Sequence, residues 1–572
     1  MRSRVHWLVL GAALFTSCDT PPTPEAVPSE LNGTDRPILR DITAEAGLDF
    51  VHENAMTGAF NYREIFAPGA ALFDYDNDGD LDLYLVQGET TDRLYRNDLE
   101  VTADGQRTLR FVDVTEESGL AVGGYGMGAT AADFNNDGWV DLYVLNLESN
   151  QLWRNQGDGT FRMESTADDS ARWSVAAVPL DFDRDGWLDL FVANYVRYDL
   201  TDDKRCRALT GAPEYCGPTA FPPEPDRLLI NKSGNNPSAL TFDNVTATAG
   251  MDKAFGPALG AVDGDFNADG LPDLYVANDG TANQLWLQGD DGSWRDHAFL
   301  GGSALNAEGA AEAGMGVDAG DFDNDGDEDL VVAHLDQETN TLYRNTGGDF
   351  EDVTLATGLG SSTLAVTGFG AAFVDYDNDG WLDLFFVNGA VKTIDAQRQA
   401  NDPHPLRQTN LLFHNRGDGT FSDRTNEAGD AMALAEVSRG LAVGDLDNDG
   451  DPDFVIGNNH GPARLLRNEI GQDNAWLGLR LVGENGRRDQ IGAWVEVVRG
   501  DGTSLWRRVR IGGSYASARD PRLIFGLGPS PELSETGLTE IRVHWPRGER
   551  ERFPAPTLNG YHTLQKGEGE AL

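Results

Sequence analysis

Asp74-Tyr75-Asp76-Asn77-Asp78-Gly79-Asp80-Leu81-Asp82 runs straight into the apolar stretch Leu83-Tyr84-Leu85-Val86, and this pairing recurs seven times along the chain. The copies begin at Asp74, Asp133, Asp181, Asp265, Asp321, Asp375 and Asp445, each reading Asp-x-Asp/Asn-x-Asp-Gly-x-x-Asp. Their starts lie 59, 48, 84, 56, 54 and 70 residues apart, a mean of about 62. A period of that length indicates a propeller or an array of blades and not stacked helical repeats.

Other segments recur in phase. A third element follows each apolar run, as in Leu94 to Asn97, Leu152 to Asn155, Leu342 to Asn345 and Leu411 to Asn415. A fourth follows that: Phe111 to Thr115, Phe242 to Thr246, Phe350 to Thr354, with a degenerate copy near Trp294 to Phe299. Gly-Asp-Gly-Thr at 157–160 and 417–420 is a hairpin signal between the third and fourth elements. Small residues precede the acidic loops, as in Gly126 to Ala132 and Gly368 to Ala372, and suit an innermost strand where backbones crowd an axis. Each repeat therefore predicts four strands, with the acidic loop joining the first to the second. Leu39 to Thr43 is a fourth-type element ahead of the first loop, and Leu465 to Asn468 is a third-type element that ends the series. Pairing of the two would complete the last blade and remove the free edge. The expectation is an all-β chain: a seven-bladed β-propeller over 38–470, then a small β-sandwich-like domain over 471–572.

The loop chemistry points to calcium, which takes six to eight oxygen ligands in a flexible shell. Position 1 offers Asp74, Asp133, Asp181, Asp265, Asp321, Asp375 and Asp445; position 3 offers Asp76, Asn135, Asp183, Asn267, Asp323, Asp377 and Asp447. Position 5 offers Asp78, Asp137, Asp185, Asp269, Asp325, Asp379 and Asp449, and position 9 closes the shell with Asp82, Asp141, Asp189, Asp273, Asp329, Asp383 and Asp453. Glycine at position 6 permits the sharp turn. An EF-hand would need Glu at position 12, where all seven copies are apolar. The expectation is up to seven structural calcium ions, bound more weakly where Asn135 and Asn267 lower the ligand charge. Any one such loop could instead be an Asx-rich turn that binds nothing.

The chain has 572 residues, 44 Lys plus Arg against 94 Asp plus Glu, and a formal net charge of −50, a surface that excludes nucleic acid as a partner. With 40% apolar residues it is globular and not an acidic disordered chain. Arg2, Arg4 and the short apolar run Val5 to Phe15 read as a signal peptide over 1–17. Phe15-Thr16-Ser17-Cys18 resembles a bacterial lipobox, so Cys18 is expected to carry lipid, with 18–37 a Pro-rich tether. That makes the chain an exported envelope lipoprotein, periplasmic or at the surface, held to membrane by this anchor only; the alternative is a secreted protein with an incidental cysteine. Cys206 and Cys216, the remaining pair, are most simply a disulfide in an oxidising compartment.

Connectors after the second strand and between blades emerge opposite the calcium loops, and three are long: 44–67, 195–227 and 389–410. That side offers His52, Glu64, Asn194, Asn278, His334, Asn388, Asn458 and His460 as candidate contacts to an unknown protein or glycan. Packed loops and Asx turns are the competing reading. No nucleophile elbow, zinc motif or phosphate loop is present. The enzyme alternative is a calcium-dependent, lyase-like polysaccharide-processing protein, which would need a base such as His or Lys plus an Arg.

The repeats resemble the FG-GAP/VCBS repeats of integrin α-chain propellers, over about residues 38–470. Ile491-Gly-Ala, Gly512-Gly-Ser-Tyr515, Phe525-Gly-Leu-Gly528 and Trp545-Pro-Arg-Gly548 resemble the ASPIC/UnbV domain. Together, with Tyr215-Cys-Gly-Pro218 and the Asn61-to-Phe73 stretch, the chain resembles a bacterial member of the cartilage acidic protein 1 family. That resemblance implies a secreted calcium-binding protein without fixing its biochemical role; the expected role is protein or glycan binding, in adhesion or as an envelope scaffold.

Overall fold

The computed structural model describes residues 36–121, 123–164, 171–201, 204–208, 210–234, 240–529 and 537–572. The expected signal peptide, most of the tether and Cys18 lie outside them. Pro37–Leu572 forms one compact unit.

Seven four-stranded antiparallel sheets, here I to VII in the order of their acidic loops, make up the first part. Sheet II is representative: Gly126–Ala132 innermost, then Asp141–Asn146, Gln151–Asn155 and Phe161–Glu164. Its loop spans Asp133 to Val140, so Ala132 pairs directly with Asp141. The inner strand Gly126–Ala132 is buried at every position, because each flank packs on a neighbouring blade. Larger side chains could not approach so closely: a Cβ on Gly128 would overlap the backbone of Ala516 near the axis. Inner strands of successive sheets touch in a cycle that returns from VII to I. Leu39–Asp41 is the outer strand of sheet VII, pairing Leu39 with Asn468 and Asp41 with Leu466, so the chain's first strand closes the ring on its last third-type element. Closure of this kind completes the last blade, so that each blade leaves only a short outer edge.

The remainder is a two-sheet module. Leu523–Gly528, Ala475–Val482 and Tyr561–Gln565 form one sheet, the last two strands parallel. Ser504–Arg508, Trp494–Arg499, Leu538–His544, Arg550–Pro554 and Glu570–Ala571 form the other. Alternation buries Val495, Val497, Ile541 and Val543 between the sheets. The same apolar cluster continues through Ile491, Val509 and Ile511 into Ala131, Leu180 and Leu188 of the propeller. The module thus sits on the acidic-loop side of the ring.

Between its strands, the segment Ile511 to Ala518 descends the propeller axis. Ser514 exchanges backbone hydrogen bonds with Val317 of sheet V at 2.7 and 3.1 Å. The Ala516 carbonyl accepts from Ala129 of sheet II at 3.3 Å, and Ala518 donates to Ala70 of sheet I at 2.8 Å. Gly513, Ser514 and Ala516 turn through positive φ of 108°, 60° and 52°. At the tip, Tyr515 is fully buried, edge-on to Phe369 at 4.9 Å, with its hydroxyl donating to the Phe66 carbonyl at 3.2 Å. An aromatic cluster of Tyr62, Phe66, Tyr195 and Phe221 from the long connectors, with Trp173 from the start of sheet III, closes the far end of the channel above it.

Candidate metal centres

All seven loops share one internal wiring. The position-6 glycine N–H donates to the position-1 carboxylate at 2.8–3.1 Å. The position-9 carboxylate accepts the position-2 N–H at 2.8–3.2 Å. Its other oxygen accepts the N–H of the last residue of the third strand at 2.7–3.0 Å. Asp82, Asp141, Asp189, Asp273, Asp329, Asp383 and Asp453 therefore tie the loop to the sheet beneath it. Position 4 turns through the left-handed region, with φ from 54° to 59°.

Three carboxylates approach within 4.8 Å of one another in the sets Asp74, Asp76, Asp78; Asp181, Asp183, Asp189; Asp321, Asp323, Asp325; and Asp375, Asp377, Asp383. The loop residues fit a hard, oxygen-seeking cation on a specific observation. One carboxylate oxygen each of Asp76, Asp181, Asp323, Asp377 and Asp447 is buried with no hydrogen-bond partner. Buried polar oxygens are rarely left so, and a bound cation satisfies them. In loops II and IV the position-3 amides Asn135 and Asn267 instead donate to Asp137 and Asp269 at 2.9 Å, so those loops partly satisfy themselves. Burial, reinforced by neighbouring carboxylates, pushes Asp74 up to about 6, Asp133 and Asp321 to about 7 and Asp189 and Asp273 to about 8. Crowded carboxylates of this kind need a counter-charge or protons. His414 stands beside loop VI where other blades carry Arg96, Arg154, Arg344 or Arg467, its Nδ1 3.4 Å from Asp377.

Two sets of amides join one blade to the next. The terminal amide of each third strand donates to the position-2 carbonyl of the preceding loop: Asn97 to Leu446, Asn155 to Tyr75, Asn231 to Phe134, Gln288 to Phe182, Asn345 to Phe266, Asn415 to Phe322 and Asn468 to Tyr376, all at 2.7–3.0 Å. This is an unbroken circle of seven bonds. The position-4 amides of Asn77, Asn136, Asn324, Asn378 and Asn448 reach the position-6 carbonyl of the following loop at 2.9–3.4 Å. Arg184 and Ala268 stand at the other two junctions, and Arg184 bonds the Arg547 carbonyl of the module instead. Both sets have a sequence signal, a recurring Asn in fixed phase, that the ligand reading passed over.

The module meets the loops with arginines. Arg488 donates to Asn136 and the Gly186 carbonyl at 2.8 and 2.6 Å, and Arg522 to Asn448 and the Asp445 carbonyl at 2.7 and 2.9 Å. Tyr561 donates to the Asp445 carboxylate at 2.8 Å. Arg508 and Arg510 grip the buried Glu328 and hold its carboxyl below the usual range against the cost of burial.

On the connector side the expected contact residues need correction. His52, Glu64, Asn194, Asn278, His334, Asn388 and Asn458 are buried, so they cannot meet a partner directly. They hold the connectors. Asn194, Asn278, Asn388 and Asn458 cap their second strands by donating to the carbonyls of Pro225, Ala282, Thr409 and Pro462 at 2.8–2.9 Å. Glu64 accepts from Asn61 at 2.6 Å and Tyr215 at 3.3 Å, and burial raises its pKa. His334 Nδ1 lies 2.9 Å from the Thr339 carbonyl. His52 accepts the His460 N–H at 3.2 Å, and burial lowers it to about 3. Of the eight only His460 is exposed, its ring edge-on to His404 at 5.5 Å. Cys206 and Cys216 are joined as a disulfide, clasping a ribbon of Cys206–Arg207 and Pro213–Glu214.

The FG-GAP-like repeat family matches residues 74–144, 133–192, 265–332, 321–386 and 402–456, and the ASPIC and UnbV family matches 483–571. Cartilage acidic protein 1 of Mus musculus is 25% identical over 504 residues, covering 84% of this chain and 70% of the relative. The Homo sapiens protein is 25% identical over 504 residues, covering 84% and 69%. Among solved structures, the BP39L lectin of Burkholderia pseudomallei aligns with a TM-score of 0.39 at 10% identity, covering 71% of this chain and 96% of the lectin, which carries no functional argument. The chain belongs to the FG-GAP-repeat proteins that end in an ASPIC/UnbV module, the family of cartilage acidic protein 1.

Proposed function

We propose that this protein is an extracytoplasmic, calcium-stabilised binding or scaffold protein that meets a protein or glycan partner on its connector side. One observation carries the reading. The acidic-loop side is covered by the C-terminal module, so the loops are placed to stiffen the ring and not to receive a partner. The exposed groups of the other side, among them Glu53, Lys392, Arg398 and His460, remain for recognition. For the polysaccharide-processing alternative, His52 and His404 are sealed among connector residues and held neutral by burial, both near 3, so neither is placed to act as its base. Calcium in the loops would neutralise clustered carboxylates and brace each blade, and the lipid expected on Cys18 would hold the disc at a membrane surface.

The test is affinity capture from a native envelope extract, with and without chelator, comparing the wild-type chain, a Lys392→Glu/His460→Asp double variant, and Arg552→Glu on the exposed face of the module. The expected outcome is a partner lost on chelation and in the connector-side variant but kept by Arg552→Glu. Retention by the double variant with loss in Arg552→Glu would move the binding surface to the module.

A further inference from the structure

The module does not close on the ring everywhere. A cavity of about 300 Å³ remains between it and sheets I and II. Its floor is apolar, built from Leu72, Leu81, Val140, Leu188, Ile491 and Ile511. Interfaces and interiors are packed to near-crystalline density, and an apolar void of roughly 150 Å³ already admits a benzene-sized molecule. A hole about twice that size with an apolar floor is of the order used to hold a small ligand.

Its charged rim points to the ligand's chemistry. The carboxylates that line the cavity have hydrogen-bond partners of their own, although Asp74 lies near Arg480 and Asp133 near Arg488. Asp74 and Asp133 accept N–H groups within their own loops, Asp78 and Gly79 for one, Asp137 and Gly138 for the other. Asp489 holds Arg480, and Asp520 holds Arg522. The guanidinium groups are only partly used. Arg480 gives Asp489 its Nε and one amino group, leaving the second amino group over. Arg488 spends Nη1 on Asn136 and Gly186. Arg487 is exposed, its stem against Gly138, and makes no side-chain hydrogen bond or ion pair among the described residues. Three arginines from one short stretch of the module thus overhang an apolar floor, in a chain whose net charge is −50. The unpaired Arg487 head, beside guanidinium N–H donors left over on Arg480 and Arg488, matches a bound carboxylate by charge and hydrogen bonding.

We propose that this cavity binds a small organic carboxylate with an apolar body, the carboxylate at Arg480, Arg487 and Arg488 and the body on the Leu72–Val140–Ile511 floor. The site is independent of the connector-side reading: it lies on the opposite side of the ring and needs no macromolecular partner.

Isothermal titration calorimetry of the full chain in calcium buffer tests it, with octanoate as probe and 1-octanol as its uncharged counterpart. The expected result is one saturable octanoate site of submillimolar Kd, with octanol at least tenfold weaker. Arg487→Glu should weaken octanoate at least fivefold and leave octanol unchanged. Val140→Trp, which fills the floor, should abolish both without lowering the melting temperature. Absence of saturable octanoate binding up to roughly 5 mM would overturn the proposal. So would equal binding of octanol with no effect of Arg487→Glu. If Val140→Trp fails to fold, the octanol comparison and Arg487→Glu decide alone.

Discussion

Replacing Tyr515 by Ala asks whether the axial segment Ile511 to Ala518 holds the module on the ring. Tyr515 is fully buried among residues of the propeller and connectors, so truncation leaves a ring-sized void that surrounding blades cannot collapse into. Large aromatic truncations in cores cost about 3–5 kcal/mol. The Phe66 carbonyl, which accepts the Tyr515 hydroxyl at 3.2 Å, loses that partner for about 1 kcal/mol more. The sum, about 4–6 kcal/mol, is a large share of the 5–15 kcal/mol that typically separates folded from unfolded domains. Because the segment belongs to the module and its socket to the propeller, the loss falls on their junction. Urea unfolding followed by tryptophan fluorescence should lose its single transition and show the module releasing first. Limited proteolysis should cut between Asn468 and Ala475, where the two parts join. Exposed Leu434→Ala, as a control, should change stability by under about 0.5 kcal/mol. A Tyr515→Ala protein within about 1 kcal/mol of wild type, with one transition and no new cleavage, would refute the reasoning.

Two further outcomes follow from the geometry. Burial pushes Asp226, which accepts the Asn194 N–H at 2.8 Å, up to about 8. A carboxyl whose folded pKa is raised stabilises at low pH and loses that contribution as pH climbs toward the folded value, about 1.4 kcal/mol per unit. Unfolding free energies from urea titrations at pH 5 to 8 should therefore shift in favour of Asp226→Asn over wild type by that amount per unit, whereas parallel curves would contradict the burial argument. In loop II, Asn135→Asp adds a charged ligand and removes the 2.9 Å bond to Asp137, so calorimetry should record roughly tenfold tighter calcium binding at that site and a metal-free protein about 1 kcal/mol less stable.

The blades were legible because the nonapeptide and its apolar follower have one geometric solution. A glycine turn at position 6, as at Gly79 or Gly450, forces a hairpin, and the short continuous apolar run after it reads as a strand buried on both faces. Ring closure by Leu39–Asp41 was legible for the same reason, an orphan fourth element facing an orphan third. Two things were not. The cap rests on Arg488, Arg508, Arg510 and Arg522, which share no spacing with one another or with the repeats, so their convergence exists only in three dimensions. The connector residues were misread for a different reason. Asn194, Asn278, Asn388 and Asn458 recur at second-strand ends, and recurrence at a strand end signals a cap that closes the loop, not a surface that greets a ligand. Loop length and topology placed function there, yet connectors that fold back over a channel bury their polar groups.

The direct measurement is the calcium content of the gel-filtered protein by inductively coupled plasma mass spectrometry, paired with thermal melting before and after chelation. Five loops carry an unpartnered buried carboxylate oxygen and two carry a self-satisfied amide. The account predicts at least five retained ions per chain, with the weaker pair recovered as calcium is raised. Each site held at 100-fold its Kd contributes about 2.7 kcal/mol, so stripping five should lower the melting temperature by about 10 °C or more. A protein that retains no calcium and melts at the same temperature in chelator would contradict the assignment of the loops.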